Sequence, residues 1–351
     1  MNLDQRSINN CVRCGTCRSV CPVFEVEGWE SANTRGRIMI MKRLMNGDNA
    51  TSEVIKSLNT CTTCGICIEK CPAGVNPTKL VEATRRELVS LGQMTETQSR
   101  LHRNVLATGN TFGKRLDRLA WLRDRRLLLR KKADNIYFAG CMASFRYPEI
   151  AAKTFEILGQ FDTAVLKAEQ CCGSPLIRMG FDASRLIGNN LDEIEKMGAN
   201  SIITGCAGCY TTLKNNYRSG IDIISVTEFL ADHISEIDLK RLDLTVTYHD
   251  PCHLGRMNRV YEEPRQVIEA ICYLKEMKNN RIDSRCCGGG GGVRAGYKDL
   301  SMKMAKKRLE EVPQGVDCVV TSCPLCIRNL SDASNEIRIM DIVELVAMAT
   351  V

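Results

Sequence analysis

The run CVRCGTCRSVCP at residues 11–22 recurs as CTTCGICIEKCP at residues 61–72, and these two stretches decide how the N-terminal part of the chain folds. Both have the spacing C-x2-C-x2-C-x3-C-P. Three thiolates this closely spaced wrap one face of a [4Fe–4S] cube, and the fourth, redirected by the following proline, reaches the other cube. Cys11, Cys14, Cys17 and Cys71 are therefore expected to hold one cluster, and Cys61, Cys64, Cys67 and Cys21 the other. Zinc sites use two C-x2-C pairs rather than two identical runs of four, and a disulfide framework belongs to short secreted chains. Between the runs, Arg35-Gly36-Arg37 leads into the apolar-rich stretch 38–45, which reads as a helix bridging them, and residues 79–91 read as helix too.

The chain has twenty cysteines, and all but Cys272 and Cys318 belong either to these runs or to a second duplicated pattern. Cys141, then Cys171-Cys172-Gly173, then Cys206 and Cys209 are repeated as Cys252, Cys286-Cys287-Gly288, Cys323 and Cys326. The offsets between copies are 111, 115 and 117 residues, the drift that small loop insertions leave after duplication of one unit. Short apolar runs lead into the cysteines: Ile136-Tyr137-Phe138, Ile202-Ile203, Val246-Thr247-Tyr248 and Val319-Val320. Such runs, ending at glycine, proline or a polar turn, read as buried strands whose C-terminal loops carry the thiolates. Residues 148–159, 183–197, 264–271 and 300–312 read as helices between them. Strand–loop–helix alternation makes the expected fold α/β, with ligands gathered beyond the carboxyl ends of the strands. The expected organisation is a mainly α-helical two-cluster domain over 1–130 and two duplicated α/β lobes over 131–240 and 241–351.

Soft thiolates select iron–sulfur clusters, zinc or copper, and five in one lobe point to an unusual cluster or a bridging thiolate. With the motifs in this order, essentially the whole chain resembles the heterodisulfide reductase D-subunit family. These are iron–sulfur proteins with a ferredoxin-type domain and two CCG domains, related to the iron–sulfur component of glycolate oxidase. The resemblance implies that Cys141, Cys171, Cys172, Cys206 and Cys209 hold one noncubane [4Fe–4S] cluster, and Cys252, Cys286, Cys287, Cys323 and Cys326 another. The 29-residue gap between Cys141 and Cys171 is a little shorter than the family's usual spacing. The implied substrate is the mixed disulfide of coenzyme M and coenzyme B, cleaved between the two noncubane clusters. The implied partner is a membrane cytochrome b. In the oxidase relatives, which often lose CCG cysteines, the partner is a flavoprotein and the chain is an electron relay. Here no cysteine of either motif is missing, which favours disulfide chemistry over simple wiring.

The other signals are weaker. Cys287 is followed by five glycines, residues 288–292. Such a run can cradle phosphate, but no Lys-Ser/Thr and no G-x-G-x-x-G register accompanies it. The preferred reading is that side chains are absent where backbone approaches a bulky cluster. Arg178, Arg294 and Arg328 closely follow cluster cysteines and Arg256 follows Cys252 and His253, places where anionic coenzymes would need cations. For any one of them a solvated surface role is the plainer reading. His249 and His253 bracket Asp250-Pro251-Cys252 and read equally well as proton donors or as hydrogen-bonding turn residues. Cys272 and Cys318 read as small buried hydrophobes.

Residues 115–132 hold eight Lys or Arg against Asp117 and Asp124, which accounts for most of the net charge of +7. With Leu116, Leu119, Trp121, Leu122 and Leu127 to Leu129 this reads either as a basic helix for an anionic membrane or partner, or as a connecting helix packed on the next domain. No reader motif for nucleic acid accompanies the charge. No nucleotide or flavin fingerprint is present, so a partner must split any hydride into single electrons. No basic leader with a long apolar stretch opens the sequence, and no apolar run approaches the ~20 residues of a membrane span. The expected location is cytoplasmic, at most peripheral on the cytoplasmic face of the membrane through a partner.

Overall fold

The computed structural model describes residues 3–123, 132–217 and 220–351. Among them eight strands form two four-stranded parallel sheets. The first contains β1 (Asn135–Tyr137), β2 (Thr163–Val165), β3 (Ser201–Thr204) and β4 (Asp222–Ser225) in the order β2-β1-β3-β4. The second contains β5 (Thr245–His249), β6 (Tyr273–Leu274), β7 (Cys318–Thr321) and β8 (Arg338–Asp341) in the order β6-β5-β7-β8. The identical order is the tertiary counterpart of the duplicated cysteine pattern. In register, Ile136 lies beside Ala164 and Ile202, and Val319 beside Thr247 and Ile339. The central strands β3 and β7 are buried throughout, as parallel strands covered on both faces must be.

The four apolar runs read from the sequence are β1, β3, β5 and β7. The edge strands β2, β4, β6 and β8 were not read from the sequence: β6 has two residues, and β4 and β8 carry apolar pairs, Ile223-Ile224 and Ile339-Met340, behind the exposed Asp222 and Arg338. The expected helices are present as Pro148–Leu158, Ser184–Met197, Glu263–Ile271 and Lys298–Leu309. Proline occupies the first turn of Pro148–Leu158 and Glu263–Ile271, where its missing N–H costs nothing. At the ends of β4 and β8 the duplication repeats down to the capping chemistry. Ser225 with Glu228, and Asp341 with Glu344, form capping boxes that start the helices Val226–Asp232 and Ile342–Ala349.

These two helices, with Pro148–Leu158 and Glu263–Ile271, pack into a core shared by both lobes. Phe155, Leu158, Leu230, Val267, Ile271, Leu345 and Val346 are all buried in it. At roughly 1.5–3 kcal/mol for each large apolar side chain, this core holds the two sheets as one body. Trp121 and Leu122 belong to it as well, with the Trp121 ring edge-on to Phe155 at 5.9 Å and to Tyr137 at 6.1 Å. That part of the basic stretch therefore packs as a connecting segment; Leu127 to Leu129, and the other residues of 124–131, lie outside the described residues.

The N-terminal part is helical. Thr34–Met45 and Pro77–Ser90 pack Ile38, Met41, Leu80, Val81 and Leu88 around Ile8 and Leu58. Gly36 is required by packing, since a Cβ there would lie 2.0 Å from the Glu30 carbonyl oxygen. Arg37 is buried, its Nε donating to the Ser57 carbonyl at 2.8 Å.

Candidate metal centres and the cavity between them

In each sheet the strand order reverses between the two central strands, which opens a crevice at their carboxyl ends. Cys141 follows β1 and Cys206 and Cys209 follow β3, so the crevice of the first sheet is flanked by thiols; Cys252 follows β5 and Cys323 and Cys326 follow β7 in the second. Gly140 (φ 75°) makes the turn into Cys141, and a Cβ there would press on the Cys209 sulfur at 3.0 Å.

The five thiols of the first motif are close neighbours, each acting on the ionisation of the next: Cys141 on Cys171, Cys171 on Cys172, Cys172 on Cys209, and Cys209 on Cys206. The second motif repeats the chain from Cys252 through Cys286 and Cys287 to Cys326, with 3.3 Å between the sulfurs of Cys287 and Cys326, and on to Cys323. The second cysteine of each CC pair favours the thiolate. Cys172 is pulled down to about 6 by the thiols of Cys171 and Cys209, and Cys287 falls well below its ordinary value through Cys286 and Cys326. The thiolate is the form that binds metal.

In the N-terminal part, Cys11, Cys14, Cys17 and Cys71 line one small cavity with Arg35 and Val75, and Cys67, expected in the other set, lines it too. The thiols of Cys21, Cys64 and Cys67 are buried close to Cys61. Of the cysteines, only Cys14 is exposed. All are free thiols. Clustered cysteine sulfur is the donor set of iron–sulfur clusters, and the residues present fit such groups.

Two contacts join the sets. The Cys64 thiol neighbours Cys286, linking the N-terminal part to the second lobe, and the Cys206 thiol neighbours Cys323, linking the lobes. Between the lobes lies a cavity of about 500 Å³, lined by Cys206, Cys252, Cys286, Cys287, Cys323 and Cys326. Met142, Pro175, Phe112 and Leu325 supply apolar wall, and Arg146, Arg178, Arg294 and Arg328 line it as well. Arg178 is paired with Glu82 at 2.5 Å, and both Arg294 and Arg328 with Asp332.

Arg256 does not reach this cavity. It is buried and donates to the carbonyls of Cys64 at 2.9 Å, Ile282 at 3.0 Å and Ser284. His253 does line it, with both ring nitrogens unpartnered and the ring held neutral by burial and by Arg178 and Arg256. His249 is buried, with Nδ1 accepting from Arg308 Nε at 3.0 Å, and burial with Arg308 pushes it down to about 3. Its ligand nitrogen and the sulfurs of Cys287 and Cys326 lie within 4.8 Å of one another. Neither histidine carries a proton charge at neutral pH.

The glycine run has a further reason beyond a bulky cluster. A Cβ on Gly290 would lie 2.8 Å from the Thr62 carbonyl oxygen, and one on Gly291 (φ 61°) 2.4 Å from that of Cys61. The run is where the second lobe lies backbone-to-backbone on the N-terminal part. Arg85 clamps this junction. Buried on Pro77–Ser90, it donates to Leu58 and Cys61 carbonyls at 2.6 and 2.7 Å, to Arg178 at 2.6 Å and to Gly291 at 3.0 Å. Its signal in the sequence was only its place on the buried face of that helix, beside Val81, Thr84 and Leu88. Arg118, which bonds Cys141, stood out only as one cation of the basic stretch, and Glu169, which pairs with Arg118, had no signal.

Comparison with known proteins follows the same division. The 4Fe-4S dicluster domain family matches residues 7–75, and the cysteine-rich CCG domain family matches 136–214 and again 246–331. The D subunit of the dihydromethanophenazine:CoB–CoM heterodisulfide reductase of Methanosarcina barkeri is 34% identical over 384 aligned residues, 97% of this chain and 94% of that protein. The chain belongs to the heterodisulfide reductase D-subunit family. As a member of that family it is an iron–sulfur oxidoreductase component that works with protein partners. The B subunit of the fumarate reductase (CoM/CoB) of Methanothermobacter marburgensis is 37% identical over 226 residues, 61% of this chain and 46% of that one. A solved structure from Helicobacter pylori, described as a hypothetical protein, shares the fold, with a TM-score of 0.64 at 9% identity over 95% of this chain and 70% of that one. Among the described residues of this D-subunit relative, no helix is long and apolar enough to cross a membrane.

Proposed function

We propose that this D-subunit relative reduces a small-molecule disulfide, the coenzyme M–coenzyme B heterodisulfide first among candidates, in the cavity between its two lobes. The units involved are residues 1–130, 131–240 and 241–351. Cys11, Cys14, Cys17 and Cys71, and Cys61, Cys64, Cys67 and Cys21, would hold two [4Fe–4S] cubes; the five cysteines of each CCG motif would hold a noncubane [4Fe–4S] group. When bound, these groups supply single electrons, two of which are needed with two protons to turn one disulfide into two thiols. The observation that carries the reading is the unbroken succession of sulfur contacts from the N-terminal part to the cavity, through Cys64 with Cys286 and then Cys323 with Cys206.

The chain's own residues prepare the cavity for such a substrate. Apolar wall from Met142, Phe112 and Leu325 takes carbon chains and excludes water, and Arg146, Arg178, Arg294 and Arg328 offer cations to anionic ends. The unpartnered ring of His253 has an N–H available to a sulfur in the cavity. A membrane cytochrome b or a flavoprotein would deliver the electrons.

The test is anaerobic oxidation of reduced viologen by the isolated, iron-loaded chain on addition of the heterodisulfide. Turnover without added flavoprotein is expected. Its absence, with all clusters present by iron analysis, would make the chain a relay for a flavin-dependent glycolate- or lactate-type oxidase.

A further inference from the structure

The two CCG sites are not electrostatic copies of each other. In the first, Arg118 Nη2 donates to the Cys141 sulfur at 3.4 Å. Among the described residues no other guanidinium or ammonium group bonds a sulfur of either motif. Arg118 is buried, lies over the Phe145 ring at 5.0 Å, and also donates to the Gly109 carbonyl at 3.2 Å. Its Nη1 pairs with Glu169 Oε1 at 2.8 Å. Glu169 is held in turn by the N–H groups of Gly140 and Ala139, each at 2.9 Å, so the turn that delivers Cys141 also anchors the carboxylate that positions the guanidinium.

The second lobe cannot build this device. Before Cys252, the places of Ala139 and Gly140 are taken by Asp250 and Pro251, and proline has no N–H to give. Two residues before the CC pair, the place of Glu169 is taken by Ser284, whose hydroxyl donates to the Asp250 carbonyl at 3.1 Å. The buried cations nearby do not bond a sulfur of the second motif, although the Arg256 charge is felt at Cys252: Arg256 donates to the carbonyls of Cys64, Ile282 and Ser284, and Arg308 to His249, the Asn279 carbonyl and Glu311.

We propose that Arg118, positioned by Glu169, tunes the group held by Cys141, Cys171, Cys172, Cys206 and Cys209 so that it is easier to reduce than its counterpart in the second lobe. The inference rests on reading both sets as iron–sulfur sites. Reduction adds negative charge, and a guanidinium bonded to a ligand sulfur in a buried site stabilises that charge, which raises the potential. Because Cys64 meets Cys286 of the second set, electrons arriving there then move downhill to the first, on the far side of the cavity.

The experiment is a potentiometric titration of the iron-loaded chain followed by electron paramagnetic resonance, with Cys209→Ser identifying the first-lobe signal by its loss. The wild-type first-lobe midpoint should be the higher of the two. Arg118→Leu should lower it and leave the second-lobe midpoint in place, and Arg118→Lys should recover part of the drop. Glu169→Gln, which keeps an acceptor for the two N–H groups but removes the counter-charge, should move the first-lobe midpoint upward. Unmoved midpoints in iron-replete Arg118→Leu overturn the proposal. If that variant does not hold iron, an unmoved or lowered midpoint in Glu169→Gln overturns it. A wild-type chain with only cubane signals would instead sink the reading of the CCG sets.

Discussion

Asp341 shows how much a single residue depends on its place. Its Oδ1 accepts the Val343 N–H at the start of the last helix, while Oδ2 is buried without a partner. Burial raises its carboxyl from 3.8 to about 8. Between those values the folded chain keeps a proton that the unfolded chain has released, so this residue's contribution to stability falls as pH rises from about 4 to 8 and is level outside that window. Asp341→Asn keeps the cap and removes the ionisation. Denaturant unfolding of wild type and variant at pH 5 and pH 8 should show the variant gaining relative stability at the higher pH; an equal difference at both would mean that Asp341 is not protonated in the fold. None of this was legible in the sequence, where Asp341 is one acid in an ordinary capping box. The cysteines are the opposite case, because the ligand role proposed for them rests on local spacing. The remaining polar residues divide: Arg178, Arg294 and Arg328 line the cavity, although a solvated surface role was the plainer reading of each, whereas Arg256 turns inward to carbonyls.

At the scale of elements, the central strands and the long helices were readable because a buried parallel strand must be a run of apolar residues and a packed helix must carry an apolar face. The edge strands were not, because they do not lead directly into a motif cysteine, and β6 has only two residues. The glycine run was seen but its reason was incomplete, since the partner it approaches lies more than two hundred residues away. Gly291→Ala places a Cβ 2.4 Å from the Cys61 carbonyl oxygen at a φ of 61°, so both the contact and the backbone conformation resist it. The expected result is a chain that keeps the spectroscopic signals of its N-terminal clusters but loses at least about tenfold in disulfide-dependent viologen oxidation. That is a cost of ~1.4 kcal/mol or more in the transfer step. Unchanged turnover would show that the junction tolerates separation.

Over the whole molecule, the two lobes share one core, and Arg85 binds that body to the N-terminal part through carbonyls of Leu58, Cys61, Arg178 and Gly291. Arg85→Met preserves much of the volume and leaves these acceptors unpaired in the interior. At ~1–3 kcal/mol for each buried group that finds no water, a loss of about 3 kcal/mol or more is expected in anaerobic urea unfolding, with the N-terminal part separating first. A single unfolding transition at the wild-type midpoint would contradict that role. The sequence by itself determined that the cysteines fall into two duplicated patterns, that one unit was duplicated, and which runs become central strands, because thiolate spacing and burial periodicity are written over a few neighbouring residues. Only the tertiary structure decided that Cys64 meets Cys286, that Cys206 meets Cys323, and that Arg118 and Arg85 stand where they do. Those contacts arise when apolar faces far apart in the chain close against each other, and no local pattern carries the address of a distant partner.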